Sequence, residues 1–199
     1  MTPDLADPLA VTALLWPHVR LYDKQVEVIR SVESTPETYV AAGNQLGKDF
    51  VAGLVCVNLF LRALKAGRTC RIVTTSVAEH HLKVLWGEVG RFITTARYPL
   101  VDKQGGPLTV NYQEVRRASE RESKNPVNYL VGRVSAKGEG LAGHHAEVSL
   151  FVADEASGLD DEGYRMAQGW AKRMLIFGNC NPCSNYFRRG VDGGDLRVT

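Results

Sequence analysis

Apolar positions along this chain alternate between a spacing suited to helices and one suited to strands. Asp7 followed by Pro8 opens a first helix, with Leu9, Val11 and Leu15 inward, that stops at Pro17. Residues 23–33 form a second, with Val26, Ile29 and Val32 or Glu33 deciding its inner face. A short β-prone run, 38–42, follows. Residues 50–64 are apolar on nearly every side, which requires a buried helix, and Gly67 stands where a C-terminal cap would end it. Residues 69–75 read as a strand through Ile72 and Val73. Ser76-Val77-Ala78-Glu79 then has the form of a capping box, opening a helix with Leu82, Leu85, Val89, Phe92, Ile93 and Ala96 on one stripe.

From 97 to 128 the periodicity breaks. Gly105-Gly106-Pro107 marks a turn, 108–112 a short strand, and the dense mixed charge of 114–124 predicts a solvated helix face. Strand character returns at 128–135. Residues 137–145 are glycine-rich and predict a mobile loop, with His144 and His145 on the surface. A β-branched and aromatic run at 147–153, a short helix at 160–170, a buried strand at 173–177 and the beginning of a strand at 195–199 complete the pattern. Alternating β and α segments without internal repeat predict an α/β fold of three layers, a mostly parallel sheet flanked by helices, with any ligand at the carboxyl ends of the strands.

Composition changes this picture little. With 199 residues and 44% apolar content the chain can bury one core. A net charge of +2 neither requires nor excludes a nucleic-acid partner. No basic-then-apolar leader and no uninterrupted apolar span occur, so a soluble protein is expected. Four cysteines, at 56, 70, 180 and 183, do not make a disulfide framework. Cys180 and Cys183 have metal-ligand spacing, but no second pair accompanies them and a reduced, intracellular protein is expected.

The chemistry begins where the first strand meets Gly43-Asn44-Gln45-Leu46-Gly47-Lys48. Glycines let successive N–H groups face an anion, the following helix adds positive potential at its N-terminus, and a lysine reaches terminal phosphates. The usual spacing of a phosphate-binding loop has Gly at 42 and Ser or Thr at 49, where this chain has Ala42 and Asp49. The strand at 147–153 ends in Asp154-Glu155, and two carboxylates at a buried strand tip are costly unless a cation or a reaction uses them. Alongside a phosphate loop, Asp154 would hold Mg²⁺ and Glu155 would polarise the water attacking the γ-phosphate of ATP. Gly178, Asn179 and Asn181, at the end of the 173–177 strand, suit a sensor that reports phosphate loss through an amide. Tyr22 and Gln25 could stack on and hydrogen-bond a purine; by themselves they read equally as an exposed helix start.

In order and spacing, the Gly43–Lys48 loop, the strand ending in Asp154-Glu155-Ala156, the Gly178-Asn179 element and the Tyr22/Gln25 pair resemble the ATPase domain of the large terminase subunit of tailed bacteriophages, over residues 21–182. The resemblance implies a P-loop NTPase of the additional-strand, catalytic-glutamate (RecA-like) type. Residues 1–36 would be a helical segment flanking the adenine site, and 37–199 the ATPase core. The implied ATP-binding set is Tyr22, Gln25, Gly43, Asn44, Gln45, Leu46, Gly47, Lys48, Asp49 and Phe50, with Lys48 and Glu155 catalytic and Asp154 at the metal; Asp49, where relatives have Ser or Thr, would either join Asp154 at the metal or turn away from the phosphates. The implied work is ATP-driven packaging of double-stranded DNA into a procapsid in the host cytoplasm, as a ring on the portal protein with the small terminase subunit; the isolated chain would be a monomer.

Relatives carry a C-terminal nuclease domain that nothing here matches, so an ATPase fragment is expected. Asn44 and Ala142 stand where many relatives have arginine, which leaves Arg116, Arg117, Arg121 and Arg133 as candidates for an arginine finger. A helicase-like or other RecA-type ATPase acting on nucleic acid is the alternative enzyme. A nucleotide-binding scaffold without turnover, prompted by Ala42 and Asp49, is the alternative from a different class.

Overall fold

A computed structural model describes residues 4–43, 46–134, 141–179 and 181–193. Helices α1 (Pro8–Leu15) and α2 (Asp23–Ser34) precede strand β1 (Glu37–Ala41), and the Asp7 carboxylate caps α1 by accepting the Leu9 and Ala10 N–H groups at 3.2 and 3.3 Å. Helix α3 (Lys48–Lys65), β2 (Cys70–Ser76) and α4 (Glu79–Thr94) follow; then β3 (Leu108–Asn111), β4 (Glu114–Arg117), β5 (Tyr129–Val134), β6 (Val148–Ala153), α5 (Asp161–Gln168), β7 (Arg173–Gly178) and α6 (Tyr186–Gly193).

These strands form one seven-stranded sheet in the order β1-β7-β6-β2-β5-β4-β3. The first five are mutually parallel, and the β3–β4 hairpin adds an antiparallel extension beyond β5. The strand β7 therefore lies between the strand that feeds the glycine loop and the strand that ends in carboxylates.

Burial follows strand alternation. Ile72, Leu130, Leu150, Leu175 and Phe177 face α3 and α4, while Val73, Phe151, Ile176 and their neighbours face Trp170 and the α6 residues Tyr186 and Phe187. That gives the three expected layers. Helix α3 is buried through most of its length, as its all-round apolar pattern requires. It lies so close to α4 that a Cβ on Gly53 would sit 2.9 Å from the Glu88 Cβ. The N-terminal segment belongs to the same core: Trp16 is fully buried, meets Phe92 edge-on, and donates its indole N–H to the Phe92 carbonyl at 2.8 Å.

Several expectations are corrected. The charged run 114–124 is not a helix: Glu114–Arg117 is strand β4, followed by a 3-10 turn, because its register against β5 buries Val115. Ser76 does not cap α4. Strand β2 runs through Ser76, the cap position is Ala78, and no side chain bonds there. His144 is not a free surface residue, since its Nδ1 lies 2.6 Å from the Tyr129 hydroxyl and its ring meets Trp170 edge-on. Helix α6 was not foreseen. The expected strand 195–199 and residues 137–140 of the glycine-rich loop lie outside the described residues, and among those described no helix is long and apolar enough to cross a membrane.

Candidate active site

Gly47 sets the geometry of the site. Its backbone takes φ of 75°, a left-handed conformation that glycine adopts without a Cβ penalty, and it is the residue from which α3 departs. Lys48 is thereby set at the first position of α3. Lys48 is 8% exposed, and its ammonium donates to Asn179 Oδ1 at 2.7 Å and lies 3.5 Å from Glu155 Oε1. Asn179 completes the link by donating its amide to Glu155 Oε2 at 3.1 Å. Two residues that follow separate strands, Asn179 after β7 and Glu155 after β6, thus meet around the buried ammonium at the start of α3.

Glu155 reaches this group because its own backbone is left-handed, at φ of 52°. Such a conformation costs a non-glycine residue on the order of 1–3 kcal/mol and persists where surrounding contacts hold it. Asp154, one residue earlier, is 5% exposed and ends the row Val40–Phe177–Asp154 on the sheet face that looks toward α3. Burial pushes its carboxyl up to about 7, with Asp49 and then Glu155 adding to the rise, against the Glu155 N–H and Lys48. Burial raises Asp49 as well, opposed first by Lys48. Asp49 is thus half-buried and near enough for its charge to add to the rise at Asp154. Among the described residues no three such side chains form a metal cage.

A pH dependence follows. An unfolded aspartate releases its proton near 3.8, whereas folded Asp154 holds it to about 7. The folded state binds the extra proton in this window, so the group's contribution is complete below the lower value and is lost as pH rises through the upper one. In chelator, the melting temperature of the chain relative to Asp154→Asn will fall over this window. Asp49→Thr, which removes a neighbouring charge, will make the fall shallower and end it at lower pH. Thermal melts across that series check it; parallel curves for all three proteins would contradict the placement of Asp49.

Beside the loop, Tyr22 donates its hydroxyl to the Leu46 carbonyl at 2.6 Å, and the Gln25 side chain packs against Gly47. Both line a cavity of about 210 Å³ with Val28, Val40, Leu46, Lys48 and Phe177. The structure thus brings together Tyr22, Gln25, Leu46, Gly47, Lys48, Asp49, Asp154, Glu155 and Asn179. Gly43 is exposed on the approach to the loop, and Gly178 ends β7 immediately before Asn179. Phe50 turns away, packing on Phe92 with rings 5.0 Å apart. Asn181 is exposed, and no hydrogen bond among the described residues joins it to Lys48 or Glu155. Asn44 and Gln45 lie outside the described residues.

Of the arginines, Arg116 pairs with Glu114 at 3.0 Å and donates to the Ser123 carbonyl, and Arg121 pairs with Asp102 and Glu122. Arg116 and Arg117 lie beside the start of β5, at the sheet edge opposite the loop. Arg133 stands near the carboxyl end of β5, on the same edge as Asp154.

A parallel sheet in which one strand is inserted between the loop strand and the carboxylate strand, with helices on both faces, defines the additional-strand, RecA-like class of P-loop folds. Among solved structures, the ATPase domain of the Thermus phage P74-26 large terminase superposes with a TM-score of 0.60 at 16% identity, over 89% of this chain and 71% of that one. A large terminase of a thermophilic bacteriophage, solved in complex with ADP, matches with a TM-score of 0.49 at 12% identity, over 82% of this chain and 39% of that one. At such identities the likeness is one of fold. No family profile matches the chain, and neither does any curated protein.

Proposed function

We propose that this chain hydrolyses ATP and is the motor ATPase of a large terminase, driving double-stranded DNA into a procapsid. The observation that carries the reading is the buried Lys48–Asn179–Glu155 link at the carboxyl edge of the sheet, beside a cavity that Tyr22 and Gln25 line. Elsewhere a buried lysine paired with a glutamate is a structural contact. Here it sits at the opening of a helix behind a left-handed glycine, where phosphate would bind.

Each residue then has a task. The cavity takes the base, with Gln25 offering a donor and an acceptor to its edge. The N–H groups at the start of α3 and the Lys48 ammonium hold the terminal phosphates, so Lys48 exchanges its bond to Glu155 for one to the nucleotide. Glu155, released, orients water for attack, and Asn179 keeps contact with whichever of the two groups remains. Two hard oxygen donors, Asp154 and Asp49, suit Mg²⁺, which takes one or two carboxylates and completes its shell with phosphate and water. When bound it neutralises charge developing on the transferred phosphate.

Arg133, at the right edge of the sheet, is the candidate finger, acting on a neighbouring copy in a ring. The reading also includes the portal protein and small terminase subunit as partners and the host cytoplasm as the place of work. Phosphate release measured against protein concentration, with and without duplex DNA, tests the function. Turnover per chain will be slow in dilute solution and rise with concentration or DNA, since a missing finger costs ~10³–10⁵-fold. Absence of hydrolysis under every condition would overturn the assignment.

A further inference from the structure

The hydroxyl of Ser76 is fully buried and has no hydrogen-bond partner among the described residues. In a buried strand that is unfavourable, because an unpaired polar group forfeits its hydration without return. Its position is informative. Thr75 pairs with Ala153, and the Asp154 N–H donates to the Thr75 carbonyl at 2.9 Å, so Ser76 and Asp154 stand side by side in the next row. Strand alternation puts both on the same face. Ile72 and Thr74 precede Ser76 on the α3–α4 side, Trp86 of α4 donating its indole N–H to Thr74 at 3.0 Å, and Leu150 and Val152 precede Asp154 there. Neighbouring strands lie about 4.8 Å apart, and no direct bond joins the two side chains. Two polar groups side by side and not bonded to each other can be joined by one water.

We infer that Ser76 is a positioning residue, whose hydroxyl and the Asp154 carboxylate together hold one water in the coordination shell of the divalent cation that accompanies the nucleotide. The inference rests on the ATPase reading and extends it to a residue that the carboxylate pattern does not reveal. It also accounts for the failure of Ser76 as a helix cap: its side chain belongs to the sheet edge and not to α4. Such outer partners orient what binds the metal, and removing one typically weakens metal affinity or activity by about 10–100-fold.

The test is Ser76→Ala in the full chain, read by three measurements: the melting temperature of the apo protein, Mn²⁺ affinity in the presence of ATP followed by electron paramagnetic resonance, and phosphate release. The apo melting temperature will be unchanged or higher, since an unsatisfied hydroxyl is removed. Mn²⁺ affinity with ATP will fall by about tenfold or more, and the Mg²⁺ concentration for half-maximal turnover will rise by the same factor. Ser76→Thr, which keeps the hydroxyl, will restore both if it folds; Ala alone decides the matter if it does not. A lower apo melting temperature with unaltered Mn²⁺ affinity would assign the hydroxyl a structural role and overturn the inference. Wild type and Lys48→Ala run in parallel: a wild type that neither binds nor hydrolyses ATP removes the ATPase reading and this inference with it, whereas active wild type, inactive Lys48→Ala and unperturbed Ser76→Ala removes this inference alone.

Discussion

Lys48→Ala will abolish ATP turnover and leave the fold in place. The ammonium is buried at the first position of α3, where the helix N–H groups and the glycine turn would bring phosphate oxygens to it. Donors fixed in this way act where little water competes, and loss of one costs ~10²–10³-fold in turnover. Lys48 also supplies charge to the glycine loop, so the loss will reach at least this size and nucleotide affinity will fall with it. The fold will survive because the core cluster around Leu54, Phe60 and Ile72 does not depend on the ammonium, and because Glu155 keeps the Asn179 amide as a partner. Phosphate release and far-ultraviolet circular dichroism on the same preparation decide the point. Undiminished hydrolysis would remove Lys48 from the mechanism.

The second large effect separates the paired carboxylates. Glu155→Gln preserves shape and can still hydrogen-bond Asn179, but an amide cannot accept a proton from water. It will bind Mg-ATP with near wild-type affinity and hydrolyse it ~10²–10⁴-fold more slowly, the usual contribution of a general base. Asp154→Asn will instead weaken the metal-dependent part of binding, because Asp154 lies deeper than Glu155 and its carboxyl feels the charge of Asp49. Nucleotide titrations with and without chelator, beside single-turnover hydrolysis, distinguish the two. Equal loss of binding in both variants would contradict this division of labour.

The parts of the site legible in the sequence were those fixed by local chemistry. A strand, a glycine turn and a lysine in that order suggest a phosphate-binding loop, and carboxylates at a buried strand tip demand an explanation. The outer shape of α3 could be read from its apolar pattern, because no amphipathic alternative was available. What escaped depends on contacts between distant segments. Asn179 could be assigned a sensor role, but its bond to Lys48 exists only because β7 is inserted between β1 and β6. Ser76 carried a convincing local cap pattern, overridden when pairing with Val134 of β5 prolonged β2 by one residue. The charges of 114–124 look helical until the β3–β4 hairpin buries Val115. Helix α6 holds Gly190 and Gly193 in eight residues, which local propensity argues against, and it forms by burying Tyr186 and Phe187.

The inserted strand has a mechanical consequence. Its last residue, Gly178, lies under the Phe187 ring so closely that a Cβ there would come within 2.5 Å of it, and Gly190 on the same helix lies equally tightly against Tyr39 of β1. Close-packed interfaces of this kind have no slack, so they pass on displacement instead of absorbing it. A side chain at either position would force α6 away from the sheet, so these two glycines set how closely the helix seats beside the strand that leads to Asn179.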